Sequence, residues 1–239
     1  MAPTLVLLHG FTHTGRSWDA VVAALGERYR PLTPDLRGHG SASDATPATL
    51  TAVLSDLDAL AEGRFALVGY SMGGRLALHY ALARPERVAR LVLIGSSPGI
   101  ADGRERVARL EADERLAQEI ERLPVAEFAD RWALTPTLAG QPPEVAARAR
   151  ADRLRNTPRG LARALRGLGT GALEPLWHRL SGVQAPVMLI VGERDRKFAQ
   201  IARRMEKALP HGRVEVVPGA GHAVHLERPG TVAALIEGG

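Results

Sequence analysis

The chain has no cysteine, which removes disulfides, thiol nucleophiles and thiolate metal sites in one step. Aromatic residues make up only 4% of the sequence, and lysine is almost missing: of 31 basic residues, all but Lys197 and Lys207 are arginines. No apolar run comes near the ~20 residues that cross a bilayer, so no membrane partner is expected. The opening MAPTLVLLHG holds a short apolar run without a basic flank or a small-residue cleavage site. A signal peptide is therefore not expected, and the chain reads as cytoplasmic. The formal charge is +5, yet the arginines are interleaved with acids rather than gathered into a tail or mixed with aromatics. That pattern fits a compositional preference for Ala and Arg better than nucleic-acid binding, and it leaves a few arginines to serve a small anion.

What is present is an alternation. Short apolar runs lie at residues 5–8, 29–33, 65–68, 91–94, 187–191 and 214–217, most of them continuous, as in parallel strands covered on both faces. Helical patterns fall between them at 17–25, 50–61, 72–83, 201–209 and 231–236. In 239 residues this rhythm predicts one α/β domain, a mostly parallel sheet with helices on both faces. One stretch breaks it. Residues 99–180 offer no strand, are rich in Arg and Glu, and are cut by Pro124, Pro136, Pro142, Pro143, Pro158 and Pro175 into short helices. They read as an all-helical lid inserted in a core made of residues 1–98 and 181–239.

Gly69-Tyr70-Ser71-Met72-Gly73 follows the third apolar run and opens a helical pattern. In that context the glycines permit a tight strand-to-helix turn that exposes the Ser71 hydroxyl, whereas the bare motif would be a structural turn. A serine hydroxyl needs an imidazole to take its proton and an acid to orient that imidazole. Asp195 lies after the run at 187–191 and His222 after the run at 214–217, so all three sit at carboxyl ends of expected parallel strands. Rivals have blander readings: His225 and His79 as packing or surface residues, Glu193 as a less suitable orienter, and His9 as a support for its loop. Asp35, Arg37 and His39 shape the glycine-rich loop of residues 34–43. The backbone N–H groups of Phe11 and Met72 are the candidate oxyanion donors. No group of His, Asp and Glu has metal-ligand spacing, so no metal is expected.

The segments HGF, DLRGHG, GYSMGGR, GERD and GH together resemble the α/β-hydrolase fold across nearly the whole chain. That resemblance implies an N-terminal edge hairpin that is largely missing here. More finely, LLHGFTHTGRSW, LVGYSMGGRLAL, SSPGIADGRERVARLEADE, FADRW, DRLRN and VGERDRKF resemble the 2-succinyl-6-hydroxy-2,4-cyclohexadiene-1-carboxylate synthases of menaquinone biosynthesis. The resemblance implies a cofactor-free lyase that eliminates pyruvate from a substrate with several carboxylates, with Ser71 as base rather than acyl carrier. It further implies substrate contacts from Arg75, Arg109, Arg155, Trp132 and Tyr70. Leu138, where a bulky aromatic is expected, and His13-Thr14, in place of a small pair, depart from the pattern. Arg75 falls one helical turn after Ser71, so its fork can reach back to a carboxylate at the site; the blander reading of each arginine is a solvated charge. The expected partner is thus a small polyanion, for a monomer or homodimer. The competing readings are a serine carboxylesterase or carbon–carbon bond hydrolase of the same fold, and a non-catalytic receptor.

Overall fold

The computed structural model describes residues 2–238. Six strands form one sheet: β1 (Thr4–Leu8), β2 (Arg30–Leu32), β3 (Phe65–Tyr70), β4 (Val88–Ile94), β5 (Val187–Gly192) and β6 (Gly212–Val217). Their order is β2-β1-β3-β4-β5-β6, and every neighbouring pair is parallel. The apolar runs are continuous because both faces of the sheet are covered. Val6, Leu8, Leu67, Leu91 and Leu189 pack on one side against α2 (Leu50–Leu60), α3 (Met72–Ala83) and α8 (Arg196–Ala208). Leu5, Leu7, Val68, Val92 and Ile190 pack on the other against α1 (Asp19–Leu25), α9 (Val224–Glu227) and α10 (Pro229–Glu237). Successive residues of a strand thus feed opposite cores, as the period-2 geometry requires. All six residues of β5 are buried, whereas edge strand β6 is only partly so. Among the described residues no strand precedes β1, and β2 is the outer strand on that side.

Between β4 and β5 the chain forms α4 (Gly103–Arg122), α5 (Val125–Ala133), α6 (Pro143–Arg153) and α7 (Pro158–Leu168), with no strand. Local chemistry sets their starts: Asp102 Oδ1 accepts from the Arg104 and Glu105 N–H groups, and Thr157 Oγ1 accepts from that of Gly160. Pro158 occupies the first helical position, where its missing N–H costs nothing. Ala117, Ile120, Phe128, Leu161 and Leu165 bury a small core of their own, and Phe11 and Trp132 pack against it. No helix of the described residues is long and apolar enough to cross a membrane.

The six expected strands all form, with ends shifted by one to three residues. One helix differs more. The pattern from residue 201 begins five residues earlier, at Arg196, because Asp195 caps it through the Phe198 N–H at 3.4 Å.

Candidate active site

Ser71 stands between β3 and α3 with φ of +50°, a left-handed conformation that costs a non-glycine residue about 1–3 kcal/mol. The turn closes only around glycine: a Cβ on Gly73 would lie 2.3 Å from the Leu8 carbonyl oxygen. The result is a serine at the carboxyl edge of the sheet, at the free amino end of α3. The His222 ring, in the loop after β6, brings Nε2 to 3.3 Å from Ser71 Oγ. Its Nδ1 lies 2.6 Å from Asp195 Oδ2, in the loop after β5. A proton can therefore pass from Ser71 to His222 while Asp195 fixes the ring and balances the imidazolium charge. The N–H groups of Phe11 and Met72 donate to no protein group among the described residues. The β1 loop runs so close to the elbow that a Cβ on Gly10 would come within 3.5 Å of Ser71 Cβ.

Ser71 opens on a cavity of about 620 Å³ between the sheet edge and the helices after β4. Of the ten Phe, Tyr and Trp residues, five line it: Phe11, Tyr70, Trp132, Trp177 and Phe198. The scarce aromatics are thus spent on one place. Burial pushes the Tyr70 phenol well above its ordinary range, so it stays a neutral hydroxyl. Arg75 reaches the cavity from α3 with only 7% of its surface exposed. Its Nη2 donates to the Leu168 carbonyl at 3.1 Å, but its buried Nε has no partner. Burial, and then the charge of Arg109, pull this guanidinium down to about 10, which leaves it charged at neutral pH.

A profile of the alpha/beta hydrolase family matches residues 5–235. The chain belongs to that family. It is 40% identical over 235 residues to a candidate 2-succinyl-6-hydroxy-2,4-cyclohexadiene-1-carboxylate synthase of Bacillus subtilis (strain 168), covering 94% of this chain and 85% of that protein. It is 34% identical to the synthase of that name from Enterobacter sp. (strain 638), over 98% of this chain and 90% of that one. Among solved structures, MenH from S. aureus superimposes with a TM-score of 0.93 at 31% identity, over 99% of this chain and 92% of that one.

Within this alpha/beta hydrolase most residues expected at the site converge. Tyr70, Ser71, Arg75, Arg109, Trp132 and His222 all line the cavity. Arg109 is already ion-paired, its Nε lying 2.6 Å from Asp113 Oδ1. Arg155 does not converge: it is exposed, past the end of α6, and absent from the cavity wall. The arginine of this turn that is buried is Arg153, 1% exposed and with both terminal nitrogens unpartnered, although it too is absent from the cavity wall. The phase of the last helical turn decides between the two, and the sequence does not mark where that helix stops. Leu138 and His13 both face the cavity. His225 is fully buried, with its ring 4.2 Å from that of Tyr70 and 4.6 Å from that of Trp18. His9 accepts from the Leu36 N–H at 2.9 Å and braces its loop. Glu193 accepts from the Gly219 N–H at 2.9 Å, clear of His222.

Sequence reasoning missed one wall of the cavity. Lys197, Phe198 and Arg204 come from α8, and Trp177 faces them. The Phe198 ring lies 4.5 Å from the His222 ring, and the Arg204 guanidinium sits 4.0 Å above Trp177. The usable signal was Asp195 itself: an aspartate that caps a helix puts the next residues in the first turn, beside the histidine it holds. Among the described residues no group of His, Asp and Glu is arranged to hold a metal ion.

Proposed function

We propose that this protein eliminates pyruvate from 2-succinyl-5-enolpyruvyl-6-hydroxy-3-cyclohexene-1-carboxylate to give 2-succinyl-6-hydroxy-2,4-cyclohexadiene-1-carboxylate, without a cofactor. The observation that carries this reading is Arg75: a buried, charged guanidinium with unspent N–H capacity, one turn from an activated serine. A site for neutral esters has no use for it, because burying an unpaired charge is costly unless a ligand completes it. The names of the Bacillus and Enterobacter relatives support the same reaction product.

The proposed steps use that arrangement. His222 Nε2 accepts the Ser71 proton, and the Ser71 oxygen removes the proton on the ring carbon that bears the succinyl ketone. The ketone oxygen gains negative charge against the N–H groups of Phe11 and Met72. Collapse of that enolate forms one ring double bond, moves the other by one position and breaks the carbon–oxygen bond to the enolpyruvyl group. Pyruvate leaves as its enolate and recovers a proton from the His222 imidazolium by way of Ser71. Arg75 and Arg109 hold carboxylates, while Tyr70 and Trp132 flank the ring. The helices of residues 99–180 serve as the lid, and the enzyme works in the cytoplasm as a monomer or homodimer.

A coupled assay that supplies the enolpyruvyl substrate and follows pyruvate tests this reading. Wild-type protein is expected to turn over, and Ser71→Ala to lose at least a thousandfold in kcat. No pyruvate, together with a burst of p-nitrophenol and an acyl-Ser71 species from simple esters, would replace the lyase by an esterase.

A further inference from the structure

The loop that carries the Phe11 N–H is not self-supporting. His13 N donates to the Gly10 carbonyl at 3.1 Å, which makes residues 10–13 a tight turn. Its third residue, Thr12, has φ of +71°. That position of such a turn favours glycine, and a β-branched threonine there is strained. The turn therefore needs external bonds to hold it in this shape.

One bond comes from the loop after β2, where His39 Nε2 accepts from the Thr12 N–H at 3.3 Å; the others come from the end of α6 and the turn that follows. Asp152 Oδ2 lies 2.9 Å from His13 Nδ1 and 3.0 Å from Thr14 N, while Asp152 Oδ1 accepts from the Thr14 hydroxyl. Arg153 Nε donates to Thr12 Oγ1 at 3.3 Å. Asn156 Nδ2 donates to the Thr12 carbonyl at 2.7 Å, and its Oδ1 accepts from Gly40 N at 3.0 Å. All six residues on the two sides are buried, none more than 8% exposed. Bonds of this kind, in a dry environment and with a carboxylate as acceptor, hold geometry tightly. The carboxyl of Asp152 stays ionised: burial alone would raise its pKa, but the His13 and Thr14 hydrogen bonds outweigh that and lower it. A ring fixed through Nδ1–H leaves His13 Nε2 as a bare acceptor, buried and unpartnered at the cavity wall.

We infer that Asp152 and Asn156 are positioning residues: they hold the strained Gly10–Thr14 turn so that the Phe11 N–H points at the oxyanion, which makes that donor competent only while the end of α6 is docked. The helical segment after β4 then does more than cover the site. It completes the site. The inference rests on the proposed oxyanion role of Phe11, but not on which substrate the serine serves.

The test reads oxyanion binding separately from substrate binding. A boronic acid that forms a tetrahedral adduct with Ser71 places an oxygen where the enolate would sit. Asp152→Ala is expected to lower kcat for pyruvate elimination at least thirtyfold with KM within threefold, and to weaken the boronate by a similar factor. Thr12→Gly removes the strain that the clamp opposes, so the double variant Thr12→Gly/Asp152→Ala should recover at least tenfold over Asp152→Ala in both readouts. A residue that merely stabilises the fold would not be rescued this way. Asn156→Ala, which removes one bond to the turn where Asp152→Ala removes three, supplies a milder second case should Asp152→Ala fail to fold, with at least a fivefold loss of boronate affinity. Boronate affinity unchanged in a folded clamp variant, or no recovery in the double variant, overturns the inference. If wild-type protein binds the boronate but releases no pyruvate, the functional reading fails while the clamp remains measurable.

Discussion

At the scale of single residues, Arg75 carries the sharpest expectation. Its burial is a cost to the folded chain, since Nε is unpartnered and Arg109 adds like charge nearby. Arg75→Leu should therefore leave the Tm unchanged or raise it. It should also lower kcat/KM for pyruvate elimination about a hundredfold, roughly 2.7 kcal/mol of transition-state binding. Arg75→Lys should recover little of that loss, because an ammonium cannot fork onto a carboxylate. Paired melting and kinetic measurements check both halves; a variant less stable than wild type yet within threefold of its activity would remove Arg75 from the site. Ser71, Asp195 and His222 were legible because the proposed chemistry needs each at a strand end, and strand ends can be read from apolar runs. That Arg153 rather than Arg155 is the buried arginine was not, because a two-residue difference in where α6 stops exchanges a buried position for an exposed one. Lys197 and Phe198 were missed for a related reason: a helix expected from residue 201 leaves them in an unplaced loop.

Among the elements, α7 shows how the helical segment is joined to the core. Gly160 and Gly167 are seven residues apart and so share one helix face. That face lies against the loop after β2: a Cβ on Gly160 would fall 2.7 Å from the Gly38 carbonyl oxygen, and one on Gly167 only 1.8 Å from that of Ala48. The helix can approach this closely only without side chains there. Gly167→Ala should thus force α7 off its seat and cost about 1–3 kcal/mol, a fall in Tm of roughly 2–10 °C. At Gly230 in α10 nothing lies within 4 Å, and the same substitution should be neutral or stabilise by up to about 1 kcal/mol. Equal Tm values for the two variants would show that α7 is not seated through this face. The prolines mark residues 99–180 as a run of helices, and short ones follow Pro124, but α4 spans 20 residues because no proline lies between Pro98 and Pro124. The proline pattern could not tell which of them touch the core, because that depends on glycines whose meaning appears only beside a neighbouring backbone. The clamp from α6 to the Gly10–Thr14 turn was hidden likewise, its partners being about 140 residues apart in sequence.

For the molecule as a whole, the histidines set the response to pH. Six of the eight are buried, and His222 is only one of them. Burial lowers His9 to about 4, His39 to about 3 and His79 to about 4, and it also lowers His13 and His225 from the ordinary 6.5. These rings are neutral in the folded chain wherever the pH exceeds their lowered values. Below about pH 6.5 the unfolded chain takes up protons that the folded chain refuses. The stability they contribute is therefore complete above that pH and is lost as the pH falls toward 4. His9 alone, moved from 6.5 to about 4, accounts for roughly 3 kcal/mol of it. A domain whose total stability is of order 5–15 kcal/mol cannot lose several such increments and stay folded. The chain should consequently unfold cooperatively between about pH 4.5 and 6, taking up more than two protons, as urea titrations at a series of pH values would measure. His79 separates this cause from a general acid effect on carboxylates. Its Nε2 makes no hydrogen bond, so His79→Leu gives up no polar contact there while removing one of the refused protons. Stability of that variant should fall less steeply between pH 6.5 and 5, by about 1.4 kcal/mol per pH unit, the slope that one proton contributes. A wild-type stability that stays flat from pH 7.5 to 5 would mean that these rings are hydrated and titrate normally in the folded chain.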